Sequence, residues 1–394
     1  MKSRKIALKT LVLAVMLCLV AGRARAEMLR SDSGFYVDLP EGFTLESGDG
    51  KSRFGLVSPD GGLEFDILAY DTSRYPTAET LSKDALAKIG SQGQIEDFAY
   101  QGRACVFAEL AFPVGGSQKQ GYAIFIGPPP AGGPARTAQD AAKVYALLAY
   151  ADAGSVERYG DFILSCLDCF SPDRAALRAP GPVSQYLLPW PAQHDATKTV
   201  VFGDARLDLP WSDAEAQQEE DTAGREFRVL QAYAQNDKLA LAAWARAYRM
   251  IYRECAARLD RLAIEIDRLL PDDPTAVARA VLQWTQGFTY ERGPGKIDFT
   301  DPLTAAYEAR GDCDSRAMVA AILLERRGID AILMVSEAYS HALLGVDVPG
   351  GGQRFNFDGK GWLVGETTAK VGLGMIAADQ ADWSKWLGIR LAGD

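Results

Sequence analysis

One cysteine at the head of an apolar run and only two histidines frame the chemistry open to this 394-residue chain. The cysteine is Cys313, in "EARGDCDSRAMVAAILLERRG", residues 308–328. Gly311 and Asp312 offer a turn and a capping residue, Ala317 to Leu324 are all apolar, and Gly328 stops the run. The pattern predicts a buried helix with Cys313 in its first turn. Unpaired N–H groups and the positive dipole end stabilise a thiolate there, so a lowered thiol pKa is expected. A structural cysteine would sit more naturally among Met318, Ile322 and their neighbours.

A thiolate nucleophile needs a base, and a base needs an acid to orient it. His194 lies in a proline-rich stretch and reads as an exposed histidine without partners. His341 opens the strand "SHALLGVDV", directly after "DAILMVSEAYS", and is the candidate base. The strands "QRFNFDG" and "GWLVGETT" follow, and adjacent antiparallel strands would set Glu366 beside His341. Asp358 falls at the hairpin tip and is the weaker acid. Cys166 and Cys169 form a C-x-x-C in "FILSCLDCFSP", read as a structural bridge or as two buried thiols near a helix end. Two separated histidines make a poor zinc site, so no metal is expected.

The elements that must position these residues fall into two groups. Residues 34–112 alternate like half-buried strands, in "GFYVDLP", "FGLVSP", "LEFDILAY" and "FAYQGRACVFAELAF", interrupted by a helix over 77–92. "GYAIFIG", "KVYALLAYA" and the helix "GSVERYGDFILSCLDCF" complete an antiparallel sheet with flanking helices, an α+β unit over 27–172. Residues 173–198 read as a Pro-rich linker. The acidic run "DAEAQQEEDTAGRE" reads as a solvated face or loop. Leu241, Trp244, Tyr248, Ile251, Cys255, Leu259, Leu262, Ile266 and Leu269 recur at helical spacing from Asp237 to Leu270, the N-terminal extension of a second unit over 199–394. Asp273 and Pro274 start a further helix, ended by Gly287.

Lys2, Arg4 and Lys5, the run "LVLAVMLCLVAG" and Ala24-Arg25-Ala26 read as a secretory signal, residues 1–26, cleaved before Glu27. The apolar run is too short for a good membrane span, and Leu17 before Cys18 is not the small residue a lipoprotein needs. The chain is expected to be exported, periplasmic or extracellular, with no integral membrane segment after cleavage. Six of the 42 Lys and Arg lie in that signal, which leaves 36 cations against 52 acids, a net charge of −16. Such a surface repels phosphate backbones and excludes nucleic acid as a partner. Cys105, Cys166, Cys169, Cys255 and Cys313 remain, an odd number that leaves at least one thiol unpaired or intermolecular.

From "SGFYVDLPEGF" to "FILSCLDCF", about residues 30–172, the chain resembles the PsbP-like fold, whose members serve as binding or scaffolding modules. From about 275 to 370 it resembles the transglutaminase-like superfamily of papain-type cysteine enzymes, on "WTQGFTY", "GDCDSRAMVAAILLERRGIDA", "SHALLGV" and "GWLVGETT". That resemblance implies a triad of Cys313, His341 and Glu366, the Glu standing where many members carry Asp. Gln286 and Tyr290 match an upstream Q-x-x-x-Y, and the resemblance implies that they line the site or an oxyanion hole. The chemistry implied is acyl transfer without a cofactor on a protein or peptide substrate, by a peptidase or amidase rather than a cross-linker. A non-catalytic binding protein, and a redox protein using Cys166 and Cys169, are the competing readings.

Overall fold

The computed structural model describes residues 28–130, 142–291 and 299–392; the expected signal, residues 1–26, lies outside them. The fold is α+β, and each of its two larger sheets is antiparallel throughout.

The alternating segments form a seven-stranded sheet from β1 (Thr44–Gly48), β2 (Arg53–Val57), β3 (Leu63–Asp71), β4 (Ile95–Tyr100), β5 (Arg103–Val114), β6 (Ser117–Ile126) and β7 (Lys143–Asp152). Their order is β1-β2-β3-β7-β6-β5-β4. Helix α1 (Ala78–Ile89) covers one face with Leu81 and Leu86, against Val106, Leu110, Phe125 and Leu148. Helix α2 (Val156–Asp168) covers the other with Ile163 and Leu167, against Leu63, Phe65 and Ile67. Two covered faces explain why β7, "KVYALLAYAD", is apolar without alternation and buried from Val144 to Ala151.

Residues 173–198 are not a solvated spacer. They hold a 3₁₀ turn (Ala175–Arg178) and helix α3 (Pro182–Leu187), in which Val183, Ser184 and Gln185 are buried. Asp168 at the end of α2 organises them. Its Oδ1 accepts the backbone N–H groups of Val183 (3.0 Å) and Ser184 (3.1 Å), and its Oδ2 accepts from Ser184 Oγ at 2.9 Å. Gly181 is needed at this approach, because a Cβ there would meet Asp168 Oδ1 at 2.0 Å. Proline gave the stretch a linker's composition, but a buried carboxylate folds it back. His194 is half-buried, with Nε2 3.3 Å from Glu215 Oε2, and not the unpartnered histidine expected.

After the hairpin β8 (Ala196–Phe202) and β9 (Ala205–Trp211), the acidic run forms α4 (Asp213–Gln231), not a loop but a helix with a solvated face (Asp213, Gln217, Glu220 and Asp221) and a buried one. Glu215, Gln218, Glu219, Arg225 and Glu226 on it are buried. The reason is α5 (Asp237–Arg258), which brings arginines against them: Arg258 Nη1 lies 3.2 Å from Glu215 and Arg246 Nη1 2.9 Å from Glu226. The long periodic stretch breaks at Leu259 into α5 and α6 (Asp260–Asp267). Leu241 and Leu269, expected on its buried face, are exposed, whereas Tyr248, Ile251, Cys255, Leu259, Leu262 and Ile266 are buried.

Helix α5 is the seam of the molecule. Arg246 donates to the Asp38 carbonyl (2.6 Å) and Ser165 Oγ (2.9 Å), and Arg249 grips the Asp38 carboxylate through two bonds (2.7 and 2.8 Å). Arg253 donates to the carbonyls of Asp168 (2.7 Å), Phe170 (2.8 Å) and Ala179 (3.0 Å). A stripe three and four residues apart thus faces the N-terminal sheet unit. Tyr248 and Tyr252 turn the other way, to Asp314 and Glu325.

Beyond the seam come α7 (Pro274–Gln286), capped by Asp273 on Ala276 N, α8 (Pro302–Glu308) and α9 (Cys313–Arg326). Helix α9, with α7 and α8 against it, packs on a five-stranded sheet of β10 (Ala331–Ser336), β11 (His341–Val346), β12 (Arg354–Phe357), β13 (Lys360–Gly365) and β14 (Leu387–Arg390), ordered β12-β13-β11-β10-β14. Every residue of α9 from Ala317 to Leu324 is buried, as its all-apolar sequence predicts. No helix among the described residues is long and apolar enough to cross a membrane.

Candidate active site

Three elements bring the expected residues together. Asp312 caps α9, its Oδ1 accepting from Ser315 N (2.8 Å) and Ser315 Oγ (2.8 Å), so Cys313 is the first helical residue. Gly311 before it has φ +153°, and a Cβ there would meet Ser315 Oγ at 2.5 Å. The backbone N–H of Ala342, the residue after His341, acts on the Cys313 sulfur in favour of its thiolate. The head of α9 is therefore seated on the start of β11.

His341 Nε2 lies 2.8 Å from Glu366 Oε2. In the register of β11 and β13, Leu344 faces Gly365. Glu366 thus follows the paired end of β13 and reaches His341 diagonally, a span open to a long side chain. Its other oxygen, Oε1, accepts from Thr368 N (2.6 Å) and Thr368 Oγ1 (2.7 Å). Burial works to raise this carboxyl, but the His341 bond and charge and the two Thr368 donors outweigh it, holding Glu366 below the usual glutamate range. With Nε2 engaged, Nδ1 is the ring nitrogen left for chemistry.

The thiol itself departs from expectation. Burial, then the charges of Asp314 and Asp312, push Cys313 far above the ordinary thiol range, and only the Ala342 N–H among the larger influences pulls it down. Cys313 is 9 % exposed. The helix dipole that argued for a lowered pKa is outweighed by desolvation and two flanking acids. Asp312 is itself pushed up to about 7 by burial and by Asp314.

Gln286 is close to Glu366 but not free to bind an oxyanion. Its Nε2 donates to the carbonyls of Glu366 (2.8 Å) and Val371 (2.9 Å), which uses both of its N–H bonds. Tyr290 is half exposed, pairs in parallel with Gly311, and has the Arg316 guanidinium over its ring at 5.4 Å. Cys166 and Cys169 stand apart, at the end of α2, and both are free thiols. The Cys169 thiol donates to the Cys166 carbonyl at 3.1 Å.

Two neighbours escaped the sequence reading. Arg316, one turn after Cys313 and 2 % exposed, donates to the carbonyls of Gly311 (2.9 Å), Phe288 (2.8 Å) and Thr367 (3.2 Å). A lone arginine inside an apolar helix was the signal available. Tyr248, which donates to Asp314 Oδ2 at 2.7 Å, gave none, because it comes from the distant α5.

No family model matches the chain, and no curated protein matches it. Among solved structures it is similar to PsbP (CyanoP) of the cyanobacterium Synechocystis sp. PCC 6803, at 13% identity over 38% of this chain and 95% of that one, TM-score 0.27. It is also similar to LpqN, involved in cell envelope biogenesis of Mycobacterium tuberculosis, at 12% identity over 35% of this chain and 82% of that one, TM-score 0.24. A protein of Bacteroides thetaiotaomicron VPI-5482 shares 8% identity over 86% of this chain and 88% of that one, TM-score 0.26. All three scores are too low to establish a shared fold.

Proposed function

We propose that the chain is an exported cysteine hydrolase of the transglutaminase-like kind, a peptidase or amidase acting through Cys313, His341 and Glu366, beside a PsbP-like N-terminal unit. The observation that carries the reading is the His341 Nε2–Glu366 Oε2 bond of 2.8 Å, made one residue from Ala342, whose N–H favours the Cys313 thiolate. An acid fixing one ring nitrogen of a histidine beside a helix-start cysteine is the arrangement that acyl transfer needs.

The chemistry follows from the raised thiol. Cys313 rests as S–H, and His341 takes its proton as the sulfur attacks an amide carbonyl. A C–S bond forms, the C–N bond breaks, and the proton passes from His341 to the leaving amine. Water then adds to the thioester with His341 again as base, the C–S bond breaks, and acid and thiol are released. Glu366 stabilises the imidazolium throughout and keeps its ring in place.

The test is turnover of a fluorogenic protein and of an unstructured peptide library by the mature chain, with amine incorporation measured beside it. Hydrolysis lost in Cys313→Ala and in His341→Ala supports the reading. Amine incorporation exceeding hydrolysis would make the enzyme a cross-linker instead. The burial and raised pKa of Cys313 favour one other reading, a non-catalytic scaffold. No turnover, with Cys313 alkylation indifferent to His341→Ala, would establish it.

A further inference from the structure

Cys313 has two neighbours able to hold its proton, on different elements. His341 opens β11, next to Ala342, whose N–H acts on the sulfur. Asp314 follows on α9, with Oδ1 3.7 Å from Cys313 Sγ, within reach of an S–H donor. The other oxygen of Asp314 accepts from the Tyr248 hydroxyl at 2.7 Å. Tyr248 is 1 % exposed, on the helix whose Arg246, Arg249 and Arg253 are fastened into the N-terminal unit.

We infer that Asp314, oriented by Tyr248, is a positioning residue that holds Cys313 in its thiol form, so that the nucleophile is restrained from the seam between the two units. This deepens the proposed function and rests on Cys313 being its nucleophile. A thiol donates to a carboxylate, whereas a thiolate in the same place loses that bond and meets a like charge. Other groups facing the sulfur do not cancel this. Asp312 and Arg316 lie on α9 with it, Glu366 is engaged by His341 and Thr368, and Tyr290 stands outside over Arg316. The Arg316 guanidinium is directed to three carbonyls. The elevated thiol, with Asp314 the larger of its two charged causes, agrees with the geometry. His341 must therefore draw the proton away from Asp314. Through Tyr248, the fit of α5 against the N-terminal unit sets how firmly Asp314 holds it.

The experiment is the pH profile of iodoacetamide alkylation at Cys313, mapped by mass spectrometry on the mature chain. The proteins compared are wild type, Asp314→Asn, His341→Ala and the double variant. The expected result is a midpoint lowered by about one pH unit in Asp314→Asn, roughly tenfold faster labelling below the midpoint. The same displacement is expected between His341→Ala and the double variant, because the restraint acts on the thiol directly. A tether that merely joins α5 to α9 would lower the melting temperature of Asp314→Asn and leave the midpoint in place, overturning the inference. Failure of the triad shows separately, as no effect of His341→Ala on the wild-type profile. If Asp314→Asn does not fold, the infrared S–H band of the wild type decides, isolated by difference against Cys313→Ser. A hydrogen-bonded thiol band at neutral pH is expected. A free-thiol band, or none, would sink the proposal.

Discussion

Gln286 holds Glu366 by its main chain: Nε2 lies 2.8 Å from the Glu366 carbonyl oxygen and 2.9 Å from that of Val371. The amide thereby ties the end of α7 to the segment after β13 and fixes where the Glu366 side chain begins. Gln286→Ala strands two carbonyls that are satisfied in the wild type, a cost of about 1–3 kcal/mol for each left buried without water. Urea denaturation should show that loss. The rate of the proposed reaction should fall with KM little changed, because substrate does not meet Gln286.

Glu366 lies below the ordinary glutamate range in the folded chain, which fixes a sign. Its bonds to His341 and Thr368 add stability that is present above the unfolded pKa and disappears as pH falls through the folded one. Unfolding free energy measured by urea should therefore fall on acidification below about pH 4.3, the unperturbed glutamate value. Glu366→Gln should flatten that part of the profile. It should also lower kcat by roughly 10²–10⁴ through loss of imidazolium stabilisation and ring orientation. A Glu366→Gln profile as steep as wild type would assign the acid dependence elsewhere.

Arg316 braces the helix of Cys313 from inside. Its guanidinium serves the carbonyls of Gly311, Phe288 and Thr367 at once, which lie before α9, after α7 and after β13. Arg316→Met should cost on the order of 3 kcal/mol, as three buried acceptors lose their donors. Arg316→Lys should recover little of this, because a single ammonium lacks the planar fork. Thermal melting of both variants checks the order.

Arg246 and Glu226 form a buried pair at 2.9 Å, with side chains 2 % and 0 % exposed. Arg246→Ala leaves Glu226 with Arg225 (2.9 Å) as its remaining cation and strips the Asp38 carbonyl of its donor, so it should destabilise the chain by about 3 kcal/mol. The double variant Arg246→Met, Glu226→Leu should lose less than the sum of the single changes. Additive losses in that cycle would show that the pair carries no coupling.

Local signals carried much of the active site. Gly311, Asp312 and the run after Cys313 placed a cap, a first turn and a buried helix, and the structure has all three. His341 opens its strand, and Glu366 reaches it because the two strands pair as their order suggested. Legibility failed where a residue's state depends on partners far along the chain. The run starting at Asp213 reads as solvated because acids far outnumber cations within it, yet Arg246 and Arg258 from the next helix cover its buried acids. Residues 173–198 have the composition of a spacer, and only Asp168 shows why they fold back. The thiol of Cys313 followed the same rule. The dipole could be inferred from sequence, whereas the depth of burial that outweighs it could not.

The arginine stripe of α5 bears on the order in which the chain is completed. Asp38, Ser165 and the carbonyls of Asp168 and Phe170 belong to the part synthesised first, and the guanidinium groups that satisfy them come from residues 246 to 253. Until roughly that length has emerged, the N-terminal unit presents an acidic, unfinished surface to water. Cutting after residue 172, or grafting the first unit onto another partner, would leave this surface permanently open. In this chain the first unit is finished only by α5, so the two form a single piece of architecture.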